Sequence, residues 1–232
     1  MTDGPHGLRK QDTSQGDQLG IANSVPATCF PPSSGLGQSW NTSLLKEVGV
    51  ALGNECLAEN VSVLLGPGVN IRRSPLGGRN FEYFSEDPVL SAALGTAWVQ
   101  GVESRGVGTS VKHFALNEQE TDRFRVSAEV DERTMREVYL RAFQRVVTEG
   151  KPGTVMAAYN QINGITATEN TWLLTDVLRG EWGFEGLVVS DWGAVANRVA
   201  AAKAGLDLQM PYAGESSDQS LVDAVGSGDL DK

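Results

Sequence analysis

Short apolar segments alternate along the chain with longer segments of helical periodicity. Five apolar, β-branched segments are predicted to be strands: residues 61–69, 108–116, 154–160, 186–191 and the less regular 205–210. These runs are nearly continuous rather than alternating between apolar and polar positions, which indicates strands buried on both faces. Such strands are typical of a parallel sheet that is covered by helices.

Between the strands, apolar residues recur every three or four positions. In residues 131–149 they form one stripe along a helix: Met135, Val138, Tyr139, Ala142, Phe143, Val146 and Val147. Asp131 can cap the start of this helix, and Gly150 with Pro152 can end it. Similar patterns predict helices at residues 44–56, 90–102, 175–182 and 194–204, and a shorter one at 220–225.

The alternation of strands and helices predicts βαβ units and a parallel sheet, either open and doubly wound or closed into a barrel. Polar residues directly follow four of the strands: Arg72, Arg73 and Ser74; Lys112 and His113; Tyr159 and Asn160; Ser190, Asp191 and Trp192. Candidate chemistry at the ends of several strands favours a (β/α)8 barrel, because an open sheet concentrates it at one switch point.

The number of strands predicts an incomplete barrel. Five strands are visible where a barrel needs eight, and Asp3 resembles the end of a strand that is missing. We therefore expect a partial α/β, (β/α)8 TIM-type barrel over residues 1–212, without its first and last strands. Residues 213–232 are expected to be a truncated tail that starts a further barrel helix, and residues 10–28 a long loop.

Charge and composition exclude several classes of partner. The 232 residues include 29 acidic and 19 basic side chains, a formal charge of −10. This acid excess argues against nucleic acids and anionic membranes, because no basic stripe is present to bind phosphates. No apolar run approaches the roughly 18 residues of a membrane span, and the start lacks a signal-peptide pattern. Localisation therefore stays open, with the cytoplasm as the default.

Metal and cofactor motifs are absent from the sequence. The two cysteines and two histidines have neither CxxC nor HExxH spacing, so no metal site is expected. No GxGxxG motif follows a strand, and we expect no nucleotide cofactor or other cofactor.

Asp191 is the sharpest candidate for chemistry. It lies two residues after the apolar run 187–189 and is followed by Trp192. A carboxylate at the exit of a strand can act as nucleophile, base or metal ligand, and the adjacent indole can stack on a sugar ring. The alternative is that Ser190 and Asp191 cap the following helix.

Lys112 and His113 form a second candidate site at the end of a strand. They could hold hydroxyls or a carboxylate through charge-assisted hydrogen bonds. A desolvated Lys112 could instead form a Schiff base, as in aldolase-type barrels. The remaining alternative is a surface lysine beside a histidine that is satisfied in the core.

Residues 72–88 interleave three arginines, three acids and three aromatic residues. Some of the arginines are expected to pair with Glu82 or Glu86, while a guanidinium fork could bind vicinal hydroxyls. Asp3, in a turn-like run with glycines and a proline, reads on its own as a turn aspartate.

Five ordered motifs resemble those of glycoside hydrolase family 3, in its β-glucosidase branch. They are DGPHGLR at residues 3–9, RSPLGGRNFEYFSEDP at 73–88, KHF at 112–114, MAAYNQING at 156–164 and SDW at 190–192. The resemblance covers nearly all of residues 1–212. No histidine follows His113 in the chain, unlike the N-acetylglucosaminidase branch with its histidine-containing loop after the Lys-His motif.

The resemblance implies a first domain with a barrel fold and an enzyme that removes terminal non-reducing β-D-glucosyl residues with retention. Asp191 matches the nucleophile of the family. The following residues match positions that hold the sugar: Asp3, Arg79, Lys112, His113 and Tyr159. Lys112 and His113 would then present positive charge and donors to hydroxyls. Arg73 and Trp192 match positions near the pocket.

The resemblance also implies parts that this chain does not supply. The acid/base glutamate of the branch comes from a second, C-terminal domain, so no glutamate here can be assigned that role, and the chain is expected to be a fragment with a β-glucoside or oligosaccharide as its small-molecule substrate. Two other functions stay open: a Schiff-base lyase that uses Lys112, and a sugar-binding fragment without catalysis.

Overall fold

The structure, a computed structural model, describes residues 1–11 and 24–231. These residues contain the strands β1 Thr2–Asp3, β2 Val63–Leu65, β3 Gly108–Phe114, β4 Ser127–Ala128, β5 Thr154–Ala157, β6 Gln161–Ile162, β7 Ile165–Thr166 and β8 Leu187–Ser190. A sheet in the order β1-β2-β3-β5-β8 is parallel at every pairing. Its strands therefore all end at the same edge, where candidate chemistry is predicted to gather. The short strands β4, β6 and β7 form a second sheet.

A sixth segment continues the parallel sheet beyond β8. Leu208 forms a parallel bridge with Val189, and the Ser190 N–H donates to the Leu208 carbonyl at 2.9 Å. The predicted strand 205–210 is thus reduced to a single bridge. Within the described residues β1 and β8 stay apart as the two ends of the sheet order, so the predicted incomplete barrel is confirmed.

Helices follow most of the strands. The α-helices of the described residues are α1 Ser33–Leu36, α2 Thr42–Ala58, α3 Pro88–Glu103, α4 Glu132–Thr134, α5 Arg141–Arg145, α6 Arg198–Ala204 and α7 Glu215–Ser227. Wider π-helical turns form Met135–Tyr139, Val146–Gly150 and Trp172–Glu181. The helix predicted at 131–149 is therefore a run of alternating α and π segments. No helix of the described residues is both long and apolar enough to cross a membrane.

Side-chain caps fix where several of these helices begin. The Asn41 carboxamide accepts from the Leu44 N–H at 3.1 Å at the start of α2, and Asp87 accepts from the Val89 N–H at 2.7 Å at the start of α3. Asp131 caps α4 as predicted. Each cap satisfies a backbone donor that has no partner within its own helix.

Some helix ends differ from the prediction. Lys151, rather than Gly150, takes the left-handed conformation that ends the run starting at α4. The helix predicted at 194–204 starts only at Arg198, and the one predicted at 220–225 is the longer α7. Most of the loop predicted for 10–28 lies outside the described residues, and the domain division at residue 212 stays a prediction.

Helices α2 and α3 pack closely because glycines face each other between them. A Cβ on Gly49 would collide with the Trp98 carbonyl oxygen and would lie 3.0 Å from the Cα of Gly101. The buried residues of α2, among them Leu45 and Leu52, then join the core beneath the sheet. This layer supports the strands whose ends carry the candidate site.

We expect Gly49→Ala to lower the free energy of unfolding by about 1–3 kcal/mol, because the added methyl group meets backbone atoms that have no room to move. Urea-induced unfolding measures the change. The matched control is Gly226→Ala in α7, where a Cβ meets nothing within 4 Å; it should stabilise by about 0.4–1 kcal/mol through the unfolded chain. Equal effects of the two changes would contradict the close packing of α2 on α3.

Candidate active site

The carboxyl edge of the main sheet opens into a cavity of about 680 Å³. Seven of the eight site residues predicted from the sequence line it: Asp3, Arg79, Lys112, His113, Tyr159, Asp191 and Trp192. The eighth, Arg73, is not among the residues that line this cavity. It lines a second cavity of about 890 Å³, where its Nε donates to the Tyr139 hydroxyl at 3.3 Å.

The parallel strands bring these side chains together from distant parts of the chain. Asp3 ends β1, Lys112 lies near the end of β3, and Asp191 directly follows β8. Arg79 belongs to the loop after β2 and directly precedes the short 3₁₀ helix Asn80–Glu82. The strand that Asp3 is predicted to end is present as the two residues of β1.

Lys112 forms the centre of a buried charge network. Its Nζ lies 2.7 Å from Asp3 Oδ1 and 2.8 Å from Glu82 Oε1, and Lys112 is only 2% exposed. Burial lowers the pKa of Lys112, but the two carboxylates together raise it by more than burial lowers it. The net shift of this pKa is therefore upward. Desolvation likewise raises the pKa of Asp3 and of Glu82, and the Lys112 ammonium helps to bring both below their usual values.

Arg79 connects this network to Asp191. Its Nε donates to Glu82 Oε2 at 2.8 Å. Its Nη2 lies 2.8 Å from the same oxygen and 2.7 Å from His113 Nε2. The remaining nitrogen, Nη1, lies 3.9 Å from Asp191 Oδ2, beyond hydrogen-bond distance. The guanidinium therefore faces the carboxylate of Asp191 without bonding to it.

His113 is neutral, contrary to the expectation that it adds positive charge. Burial lowers its pKa well below the usual value, and Arg79 and Lys112 lower it further. Because a guanidinium only donates, we assign Nε2 as an acceptor and Nδ1–H as the donor to the Tyr83 hydroxyl at 3.1 Å. Asn70 holds the His113 backbone, with its Oδ1 accepting at 2.6 Å and its Nδ2 donating at 3.0 Å.

The two oxygens of Asp191 have different surroundings. Oδ1 accepts from the Trp192 N–H at 2.7 Å, whereas Oδ2 is buried and has no hydrogen-bond partner among the described residues. Burial raises the pKa of Asp191 above its usual value, although Arg79, the Trp192 N–H and the Tyr159 hydroxyl each lower it. The helix-capping alternative is wrong, because α6 is capped by Asn197 instead.

Glu82 and Arg123 also line the cavity, although neither is predicted as a site residue. The sequence predicts Glu82 only as an ion-pair partner for arginines, and no motif in the sequence indicates its position between Arg79 and Lys112. Arg123 lies in the loop after β3, where no strand end marks it; its guanidinium stacks 4.1 Å from the centroid of the Tyr159 ring.

The arrangement combines donors with one reactive carboxylate. The cations can donate N–H groups to a ligand in the cavity, while Asp191 lines the same cavity and its Oδ2 has no hydrogen-bond partner among the described residues. A charged site at the carboxyl edge of a parallel sheet is typical of barrel enzymes, which carry their chemistry at this face.

Comparison with known proteins agrees with this class. The chain belongs to glycosyl hydrolase family 3, because residues 13–232 match the model of its N-terminal domain, described as "Glycosyl hydrolase family 3 N terminal domain". The incomplete barrel is therefore part of the (β/α)8 barrel of that family.

Several relatives are closely similar over nearly the whole chain. The thermostable β-glucosidase B of Acetivibrio thermocellus is 56% identical over 99% of this chain and 30% of its own length. An exo-α-(1→6)-L-arabinopyranosidase of Bifidobacterium longum is 54% identical over 98% of this chain and 30% of its own length. The chain thus spans about 30% of the length of these curated relatives.

Solved structures share the fold at high similarity. The family 3 β-glucosidase of Bifidobacterium adolescentis superposes with a TM-score of 0.91 at 54% identity, over 99% of this chain and 32% of the other. The β-glucosidase 3B of Thermotoga neapolitana, solved in complex with glucose, gives a TM-score of 0.92 at 47% identity, over 99% of this chain and 32% of the other.

We expect Lys112→Met to lower the free energy of unfolding at pH 7 by about 3–5 kcal/mol, because it leaves two carboxylates without their shared counter-ion. In the wild type the pKa of Glu82 lies below its usual 4.5. Its stabilising contribution is therefore present above pH 4.5 and is lost as the pH falls through the folded pKa. Without Lys112, burial raises that pKa, so protonation should shrink the deficit of the variant toward acidic pH.

Urea-induced unfolding at pH 7 and at more acidic pH measures both effects. Lys203→Met is the matched control, since Lys203 pairs with Asp229 on the surface and its loss should change stability by less than about 1 kcal/mol. A deficit of Lys112→Met that does not change with pH would contradict the network.

Proposed function

We propose that this chain carries the nucleophile and the sugar-binding side chains of a retaining β-glucosidase. The observation that carries the proposal is Asp191, which lines a cavity together with Arg79 and Lys112 and whose buried Oδ2 accepts no hydrogen bond from the described residues. A retaining glycosidase needs such a carboxylate beneath the anomeric carbon of its substrate. The β-glucosidases among its relatives support glucose as the sugar.

The proposed reaction has two steps. Asp191 Oδ2 donates an electron pair to the anomeric carbon and forms an ester as the glycosidic C–O bond breaks, while the leaving oxygen takes a proton from a general acid. Water, deprotonated by the same group, then attacks the anomeric carbon, and the ester opens to release the sugar and the Asp191 carboxylate. Two displacements at one carbon retain its configuration.

The charge network assigns different tasks to its members. Lys112 and Arg79 stay cationic, so they can donate to sugar hydroxyls and stabilise the ionised form of Asp191. Asp3, whose pKa is held low, can accept from two hydroxyls, which favours sugars that carry both. Trp192 offers an aromatic wall for the apolar face of a ring.

We infer that the general acid lies outside the described carboxyl groups of this cavity. An acid must be protonated near neutral pH, but the pKa values of Asp3 and Glu82 are lowered. Glu118 has a pKa raised to about 8 by burial, yet it lines the second cavity rather than this one. The length of the relatives, about three times that of this chain, is compatible with an acid supplied elsewhere.

The two other functions are less well supported. A Schiff-base lysine must lose its proton to attack a carbonyl group, whereas the pKa of Lys112 is raised by two carboxylates. A sugar-binding protein without catalysis has no need of the unbonded oxygen on Asp191.

Substrate choice within the family is tested by comparing aryl β-D-glucosides with aryl α-L-arabinopyranosides, since relatives are named for both sugars.

We expect a 2-deoxy-2-fluoro-β-D-glucoside with a dinitrophenolate leaving group to inactivate the full-length protein by esterifying Asp191. The fluorine slows hydrolysis of the ester, so the adduct accumulates and peptide mass spectrometry locates it. Asp191→Asn should lose activity on aryl β-glucosides by about 10⁴-fold or more, the scale seen when catalytic groups are removed. A label on any other residue, or full activity of Asp191→Asn, would refute the proposal.

We expect Arg79→Gln to move the acid limb of activity to higher pH. Asp191 reacts only when ionised, so the rate falls as the pH drops through its pKa, which burial already raises. The Arg79 cation lowers this pKa, so its removal should raise the pKa of Asp191 by about one unit or more at such short range. The pH dependence of inactivation by the fluoroglucoside measures the limb, because dinitrophenolate leaves without help from an acid. An unchanged limb would exclude this role of Arg79.

A further inference from the structure

Glu82 bonds Arg79 in a position from which the guanidinium makes no hydrogen bond to Asp191 Oδ2. Two nitrogens of the guanidinium, Nε and Nη2, lie 2.8 Å from Glu82 Oε2. The same carboxylate turns its other oxygen, Oε1, toward Lys112 Nζ at 2.8 Å. With both oxygens occupied and 4% of its surface exposed, Glu82 has little freedom to reorient.

The nearest alternative partner for Arg79 is Asp191. Its Oδ2 lies 3.9 Å from Arg79 Nη1, so a shift of about one ångström would form a charge-assisted hydrogen bond. Such a bond would engage the oxygen that attacks the sugar in the proposed reaction. It would lower the basicity of Asp191 and would have to break before each attack on the anomeric carbon.

In the part of the chain that the structure describes, His113 is the other hydrogen-bond partner of the Arg79 guanidinium. Its Nε2 accepts from Arg79 Nη2 at 2.7 Å, but a neutral imidazole competes weakly with a carboxylate for a guanidinium. Glu120 Oε1 lies 4.0 Å from Arg79 Nε, and the other oxygen of that carboxylate, Oε2, accepts from Arg123 Nη1 at 2.8 Å. Among the described residues, Glu82 is therefore the carboxylate that directly bonds Arg79.

We propose that Glu82 is a positioning residue that draws Arg79 away from Asp191 and thereby keeps Asp191 Oδ2 available for attack. This inference rests on the proposed function, because it concerns the nucleophile of that reaction. Since both of its oxygens are engaged, Glu82 acts in this proposal through Arg79 and not as an acid or a base, and Lys112 holds its second oxygen in place.

The test compares Glu82→Gln (E82Q) with the wild type in the full-length protein. A glutamine amide has one acceptor oxygen and one donor nitrogen, so it can serve Lys112 or Arg79 but not both. We expect Arg79 to move to Asp191, whose pKa then falls. The acid limb of inactivation by the fluoroglucoside should move to lower pH by about one unit, opposite to the shift expected for Arg79→Gln.

The rate of esterification provides the second readout. In E82Q at neutral pH, the rate constant for labelling of Asp191 should fall by about tenfold or more, the scale of one added hydrogen bond between charged groups. A crystal structure of E82Q should show Arg79 within hydrogen-bond distance of Asp191. The control Glu137→Gln removes the same charge from a surface pair with Arg133 and should leave the acid limb and the labelling rate unchanged.

Glu82→Asp separates the position of Arg79 from the loss of charge. It keeps the carboxylate but shortens its reach, so a lower acid limb in this variant can come only from displacement of Arg79. We expect values between those of the wild type and E82Q, and this variant carries the test alone where E82Q is not recovered folded. Two results would overturn the inference while leaving Asp191 as the nucleophile. One is that both variants show the acid limb and the labelling rate constant of the wild type; the other is a raised KM with no change in the acid limb of the pH profile. A wild-type protein that gives no label on Asp191 would instead end the proposed function and this inference with it.

Discussion

A buried ammonium group shared between two carboxylates organises this site. Moving a lysine out of water costs several kcal/mol unless opposite charges accompany it, and Lys112 meets this requirement with Asp3 and Glu82. The three residues come from the end of β1, the loop after β2 and the end of β3. Correct registration of three neighbouring strands is therefore a condition for a stable charge network, and the network in turn ties the ends of those strands together.

The network leaves Asp191 in an unusual state. Its neighbours with the strongest attraction for a carboxylate are already paired, since Arg79 is bonded to Glu82 and Lys112 to two acids. Burial then makes the ionised form of Asp191 less stable than in water, which is the direction of its pKa shift. A carboxylate that is ionised but poorly stabilised is more reactive toward an electron-poor carbon than one held in a salt bridge.

Sequence patterns predicted the parts of this arrangement that depend on strand periodicity. Lys112, His113 and Asp191 follow buried apolar runs, and parallel strands necessarily bring such ends together. The protonation states of these residues could not be predicted in the same way. His113 is neutral because its ring is fully buried beside two cations, and this burial depends on tertiary packing that no local sequence pattern shows. The resemblance to a family, rather than periodicity, singled out Asp3 and Arg79.

The sequence could not predict which loop residues line the candidate site. Arg73 and Arg79 occupy the same arginine-rich segment, yet Arg79 lines the first cavity and Arg73 the second. The composition of the segment does not distinguish the two arginines as candidate site residues. They line different cavities because of the path of the backbone between them. Arg123 was missed for the same reason, since a loop position carries no periodic signal.

Carboxyl groups of one chemical type reach three different states in this fold. Asp3 and Glu82 are held ionised by Lys112, Asp191 is pushed toward protonation by burial but faces cations, and Glu118 has its pKa raised to about 8 in the second cavity. Retaining hydrolysis needs an ionised nucleophile and a protonated acid at the same pH. In the proposed reaction Asp191 is the nucleophile, and Lys112 holds Asp3 and Glu82, the other described carboxyl groups of the first cavity, ionised. The proposal therefore places the general acid on a carboxyl group outside this set.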